Sequence, residues 1–382
     1  MPDLISPVIR TLADLVRINS INPAYEGGVS ELAVVQYVQE FFKPLGLEMW
    51  QQEVFPGRPN LIVRLPGKDP GRRVVLEAHT DTVTVTGMTI EPFEPTIKNG
   101  RLYGRGSCDT KAGLAGMMHA VALLRQQSIT PPCEIWLAAA ADEEYSYRGV
   151  VKLCEGLTGD AAIIAEPTDL RMVVASKGVV RWRIRVQGRA AHSSKPHLGI
   201  NAISHMARLV LAIDEYHQKL TAHSHPLLGS ATGNVGVIKG GVQVNFVPDE
   251  CVIEIDRRLL PGEEVSVVLA GYQAVIDRMS QQCADFIATM ETPMLTDEAL
   301  DTPIDSPPAL VAGDILRSMG LCGDPCGVPF GSDASKLSRQ GLPSLVFGPG
   351  SIDRAHAAVE YVEIDQVDQA FEFYRDFISK FE

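Results

Sequence analysis

A chain of 382 residues is too long for one ordinary core and fits two domains of about 100–250 residues each. With 45% hydrophobic and 21% charged residues it has a folded protein's composition, which excludes long disorder and fibrous repeats. The formal charge of -13 disfavours nucleic acid and anionic membrane surfaces, both of which need a basic patch, and leaves a small molecule as the expected partner.

Met1-Pro2-Asp3-Leu4-Ile5 lacks a basic region running into an apolar stretch, and no run of about 20 apolar residues follows, so a soluble, unexported, cytoplasmic protein is expected. From Ile5 to Leu47 apolar residues recur at helical spacing (Leu12, Leu15, Val16, then Leu32, Val35, Val38, Phe41, Phe42) and break at Pro44 and Gly46, which predicts two helices. Strand-like runs follow at 60–65, 73–78 and 134–140, with a helix over 112–124 between the last two. This alternation implies a largely parallel sheet covered by helices. Near residue 176 the texture changes: 179–186 and 243–258 read as amphipathic strands and 201–220 as one helix, the pattern of an inserted α+β domain over 176–291. After about Thr292 the first pattern returns, with a helix over 307–319, a short strand over 342–347 and a terminal helix over 366–381. The α/β domain is then discontinuous, 1–175 with 292–382. His217, His223 and His225 read as a solvated loop.

Seven cysteines, odd in number and mostly far apart, argue against a disulfide framework and for a reducing compartment. Cys322 and Cys326 have no second Cys/His pair of matching spacing nearby, so they read as ordinary thiols.

The chemistry-bearing residues sit where strands end. Val74-Val75-Leu76-Glu77-Ala78 runs into His79-Thr80-Asp81, and the two-residue period of a strand places His79 and Asp81 on one side at its carboxyl end, where open α/β sheets bind ligands. A carboxylate two residues beyond a histidine can fix the tautomer of a metal-ligating imidazole; from these three residues alone, a purely structural strand-end histidine is the better reading. Gly104-Arg105-Gly106-Ser107-Cys108-Asp109 is a Gly-rich turn opening a helix, in which Asp109 could merely cap. Strands over 135–140 and 161–165 end in Asp142-Glu143-Glu144 and Glu166-Pro167-Thr168. So many acids and imidazoles at the ends of apolar strands would be costly to bury unpaired, and a cation resolves that cost.

These motifs, in this order and with a late Ala355-His356, resemble the M20 metallopeptidase and deacylase family over essentially the whole chain. His192-Ser193-Ser194, Pro196-His197-Leu198-Gly199 and Phe347-Gly348-Pro349-Gly350 are most similar to its acetylornithine deacetylase and succinyl-diaminopimelate desuccinylase branch. The resemblance implies an α/β zinc-peptidase domain of phosphorylase/hydrolase-like type carrying a ferredoxin-like lid that also makes a homodimer. It implies that Asp109 bridges two zinc ions, with His79 and Glu166 completing one site and Glu144 and His356 the other. Three carboxylates against two divalent ions leave about one positive charge, which a bridging hydroxide cancels. Histidine and carboxylate without thiolate leave Co²⁺ or Mn²⁺ possible. Adjacent side chains diverge on a strand, which suits a division of labour: by resemblance Glu144 ligates and Glu143 is the general base, with Asp81 beside the cluster. The resemblance also assigns His192, acting from a partner subunit, to the oxyanion, and Asn245 and Arg258 to the substrate, Arg258 through the Asp256-x-Arg258 pattern. Gly331 and Gly350 are candidates for the pocket wall, although a Gly-rich turn alone explains them.

The reaction implied is hydrolysis of the amide of a small N-acyl amino acid such as N-acetylornithine, with lid closure excluding water. Alternatives are succinyl-diaminopimelate desuccinylation, a dipeptidase or carboxypeptidase with the same centre, and, from another class, a noncatalytic small-molecule binder, against which Glu143 argues.

Overall fold

A computed structural model describes residues 5–382; the reading of Met1–Leu4 as carrying no export signal lies outside them. The chain divides into two compact units, one formed by residues up to Val174 with Asp301–Cys326 and Ser332–Glu382, the other by Ala175–Leu300 with Gly327–Gly331. The second unit therefore extends past 291, because Leu295–Asp297 pairs with Gly178–Gln187. No helix of the described residues is long and apolar enough to cross a membrane.

The sheet of the first unit runs in the order Glu48–Phe55, Arg58–Leu65, Cys133–Ala140, Asp69–His79, Ala161–Ile164, Ser344–Val346, Val173–Ser176. The strands from Cys133–Ala140 to Ser344–Val346 are parallel neighbours. Those that flank them join antiparallel, so the expected parallel sheet is its centre only. The central strands are near-continuous apolar runs because helices cover both faces. Their register decides the site: His79 lies opposite Ala140 and Glu77 opposite Ile164, so the carboxyl ends finish level and the residues after them converge.

Lys111–Gln126 is buried along most of its length and packs against Pro7–Arg17 and Ile364–Lys380. The last of these offers Val367, Ala370, Phe373, Tyr374, Phe377 and Ile378 as one apolar stripe at helical spacing. Gly113 is required where the central helix starts: a Cβ there would lie 2.4 Å from that of Ala165, so its absence lets the helix start approach the strand end that leads into Glu166.

Between Pro7–Arg17 and Lys111–Gln126, His119 Nε2 meets Thr11 Oγ1 at 2.8 Å, with the Phe41 ring edge-on at 5.1 Å. Burial pushes this imidazole down to about 4 from its ordinary 6.5. The unfolded chain therefore takes up a proton that the folded chain refuses, and stability present above about pH 6.5 is lost as the pH falls toward 4. His119→Gln, which keeps a partner for Thr11, should lose less over that interval, by an amount on the order of 2–3 kcal/mol. Denaturant titrations at pH 7 and pH 4.5 measure it, and parallel acid losses in both proteins would overturn it.

The second unit is a strand-helix-strand-strand-helix-strand arrangement. Thr232–Gly240, Glu250–Leu259, Gly178–Gln187 and Ile287–Met290 pair antiparallel in that order, the ferredoxin-like topology. Alternation along Gly178–Gln187 sends Val180, Trp182, Ile184 and Val186 under helices Ala202–Lys219 and Val265–Gln282, where Trp182 meets Tyr272 edge-on at 4.7 Å. Arg181, Arg183 and Arg185 on the other face pair with Asp256, Glu254 and Glu250. Two expectations need correction. The strand expected over 243–258 begins only at Glu250, because Gly240-Gly241 turns the chain and leaves Val242 and Val244 exposed. His217 is not in a solvated loop: it lies on Ala202–Lys219, half-buried, its Nε2 2.8 Å from Tyr272 Oη.

Candidate metal centre

The level strand ends bring His79, Glu143, Glu144 and Glu166 together, and Asp109 and His356 join them from turns. Asp109 is central: its Oδ1 lies 2.9 Å from His79 Nε2 and its Oδ2 3.4 Å from His356 Nε2. The same His356 nitrogen is 3.1 Å from Glu144 Oε2. His79, Asp109 and Glu144 offer ligand atoms all within 4.8 Å of one another, and so do His79, Glu143 and Glu166. The adjacent glutamates lie in the turn that follows Cys133–Ala140 rather than on the strand, and each joins a different trio. Glu166 closes with His79 and Glu143, and Glu144 with His79 and Asp109.

Charge in the cluster is unbalanced. Burial, with Asp333, Glu144 and Asp109 nearby, holds the Glu143 carboxyl well above the usual range against the pull of His79. Burial also lifts Glu166, aided by Asp109 and Glu143. Burial opposes charge on both imidazoles, yet hydrogen bonds and charges from the carboxylates win: His79 is raised well above its usual value and His356 is pushed up to about 11. Burial alone would raise Asp109; hydrogen bonds from His356 and His79 instead hold it below the usual range. Carboxylates outnumber the imidazoles that face them, and a donor set of imidazole and carboxylate oxygen fits a pair of divalent cations.

The surroundings orient these donors. His79 Nδ1 donates to the backbone carbonyl of Asp81 at 3.0 Å, which turns Nε2 toward Asp109. The Asp81 carboxylate, expected to play that part, stands 3.7 Å away. It is occupied elsewhere, accepting from Glu143 N at 3.1 Å, Glu144 N at 3.2 Å and Asn22 Nδ2 at 2.8 Å. Asp81 therefore pins the segment that carries both glutamates. Asn22, fully buried, also donates to Asp142 at 2.8 Å. Arg58 spans Glu31, through two bonds of 2.7 and 2.8 Å, and Asp142 at 3.1 Å. Tyr25 Oη donates to the Glu144 carbonyl at 2.6 Å, and burial, then Glu144, pushes its phenol up to about 12. Burial, then the charge of Asp333, holds the carboxyl of Glu77, a buried acid on the His79 strand, well above the usual range. None of Asn22, Tyr25, Glu31 or Arg58 carries a local sequence signal. Glu77 does, as a lone acid in Val74-Val75-Leu76-Glu77-Ala78.

The remaining candidates fall elsewhere. His192 and Asn245 of the second unit are brought together: His192 pairs with Phe246 across a short ladder, Ser193 N donates to Asn245 O at 3.0 Å, and both residues are exposed. His192 Nδ1 is 2.8 Å from Ser194 Oγ. Arg258 Nε donates to Asp256 at 2.8 Å on the helix-free face of its sheet. Gly331 also belongs to this unit, where a Cβ would meet Asp297 Oδ2. Gly350, in the first unit, has φ +86 and would drive a Cβ to 2.5 Å from Cys108 Sγ, so its turn can approach the Asp109 loop only as glycine.

The chain is 30% identical over 381 residues to an acetylornithine deacetylase of Myxococcus xanthus, covering 96% of this chain and 95% of that one. It is 27% identical to an N-formyl-4-amino-5-aminomethyl-2-methylpyrimidine deformylase of Bacillus subtilis strain 168, over 90% of this chain and 88% of that one. Its fold matches the crystal structure of aminopeptidase PepT from Bacillus cereus ATCC 10987 with a TM-score of 0.80, 22% identity and 97% coverage of both chains. The model of peptidase family M20/M25/M40 matches residues 75–380, a span that holds every residue of the cluster. The chain belongs to peptidase family M20/M25/M40 and is a hydrolase.

Proposed function

We propose that this chain hydrolyses the amide bond of a small N-acyl amino acid, of the N-acetylornithine type, using two divalent cations, zinc in the first instance and cobalt or manganese as substitutes. The observation that carries the reading is Asp109, whose two carboxylate oxygens face different imidazoles, the disposition of a bridging ligand. When bound, the cations would supply Lewis acidity, lowering the pKa of water toward about 7 and polarising the carbonyl. The side chain of Glu143 accepts a proton from the attacking water and returns it to the departing amine nitrogen, so that it ends the cycle as it began. Asp81 holds Glu143 in reach through its backbone N–H, and Asn22 holds Asp81.

The two curated relatives act, by their names, on different substrates, yet both names describe removal of an acyl group from nitrogen; that shared chemistry supports deacylation ahead of a dipeptidase. In this reading Arg258 and Asn245 bind substrate, Arg258 through the bidentate fork that suits a carboxylate. A homodimer lets His192 of one subunit donate to the oxyanion in the other. Exposed Leu211, Ile238, Val242 and Val244 on the second unit support a second copy as partner. Seven free thiols suit a reducing cytoplasm.

Stripping the protein with a chelator, reloading it with zinc, cobalt or manganese and assaying N-acetyl, N-formyl and N-succinyl amino acids beside dipeptides tests the proposal. Turnover should require metal and favour a short N-acyl group. Preference for dipeptides would move the assignment to a peptidase, and two bound cations with a flat panel would restore the noncatalytic binder.

A further inference from the structure

Glu360 is a fully buried carboxylate, four residues beyond His356 and absent from the ligand set. Its Oε1 accepts from two successive backbone donors, Cys108 N at 2.9 Å and Asp109 N at 3.1 Å. Its Oε2 pairs with Arg105 Nη1 at 2.5 Å, and its backbone carbonyl accepts from Gly104 N at 3.1 Å. Arg105, itself buried, donates to the Thr84 carbonyl at 3.0 Å. Every hydrogen bond that Glu360 accepts from the Gly104–Asp109 turn thus ties that turn to the segment that carries His356. A neutral anchor could satisfy two backbone donors. A buried ion pair is a costlier device, and breaking it leaves an uncompensated charge, so its register is held strongly.

We propose that Glu360 is a positioning residue that locks Asp109 Oδ2 to His356, so that the cation on the His356 side depends on it more than the cation on the His79 side does. The basis is connectivity. His79 reaches Asp109 from the end of a central strand, fixed by the sheet ladder. His356 lies half-exposed in an irregular segment outside helix and strand, and Glu360 joins that segment to the Asp109 turn. The inference rests on the two-cation reading given above.

Metal-free protein titrated with Zn²⁺ by calorimetry, with metal content counted after dialysis, separates the two. Wild type should bind two cations. Glu360→Gln should weaken one of them by about 10–100-fold, the usual cost of losing an orienting partner, and leave the other within about threefold. The thermal midpoint of the metal-free variant controls for simple misfolding, and Glu360→Gln combined with Arg105→Gln, which removes the unpaired buried cation, should recover part of the lost affinity. One cation on wild type would overturn the two-cation reading and this inference with it. Two on wild type and two of unchanged affinity on Glu360→Gln would overturn this inference alone. Equal weakening of both, in step with a lower metal-free midpoint, would assign Glu360 a purely structural part and overturn it as well.

Discussion

Glu143→Ala is expected to cut turnover by about 10²–10⁴-fold, the usual loss when a general base is removed, while both cations stay bound. The backbone of the segment does not depend on this side chain: Glu143 N and Glu144 N hang on Asp81, and Tyr25 holds the Glu144 carbonyl. Glu144 should therefore keep its place beside Asp109 and His356. Glu143→Gln keeps the volume and loses the proton acceptor, so it should fail equally. Metal counted by elemental analysis beside steady-state rates decides the matter, for a variant short of metal would make Glu143 a ligand, as its place in a trio with His79 and Glu166 permits. The same variant tests His192. His192→Ala should lose roughly 10²–10³ in turnover with unchanged metal, as for one oxyanion donor. Mixing the two inactive proteins under subunit exchange should regenerate about half the activity of wild type per heterodimer, because one site then holds both groups intact. No recovery despite proven exchange would show that His192 serves its own subunit or none.

Much of this site was legible in the sequence because its donors follow the ends of apolar strands, and a buried parallel strand is a short, continuous signal. His79, Asp142-Glu143-Glu144 and Glu166 are all placed by that rule. Asp109 and His356 were legible by family likeness, since neither follows a strand of that sheet. What stayed hidden was whatever pairs across distance. Asn22 meets Asp81 and Asp142 from 59 and 120 residues away, and Glu360 meets Asp109 from 251. The fold has the same division. Glu48–Phe55, half-exposed at the edge of its sheet, shows no clean apolar run, and Thr232–Gly240 is interrupted by Gly233 and Gly236. Val265–Gln282 opens on β-branched residues that blur a helical period, and burial of Val268, Tyr272, Val275 and Ile276 against the sheet overrides that local preference.

Asp109→Ala is expected to remove both cations, whereas His356→Ala removes one. The contrast follows from the two oxygens of one carboxylate: Oδ1 faces His79 at 2.9 Å and Oδ2 faces His356 at 3.4 Å, so a single truncation takes a ligand from each site. The loss is more than the sum of two contacts. With Asp109 gone, His79 and His356 have one fewer carboxylate to face, and two cations would lie close together with no anion of the protein between them, a repulsion that the shared carboxylate screens when present. Activity should fall to background, and added metal at millimolar concentration should not restore it. His356→Ala, by contrast, should keep the cation on the His79 side and regain some rate at high metal concentration, because Glu144 and Asp109 remain to bind weakly. The turn itself should survive in Asp109→Ala, since Glu360 holds it by the backbone N–H groups of residues 108 and 109 and needs no side chain at either. The metal-free thermal midpoints of wild type and Asp109→Ala should accordingly lie close together, while zinc raises only that of wild type. If Asp109→Ala still binds two zinc ions with near wild-type affinity, Asp109 is no bridge, and the cations would have to rest on His79 with Glu143 and Glu166 and on Glu144 with His356.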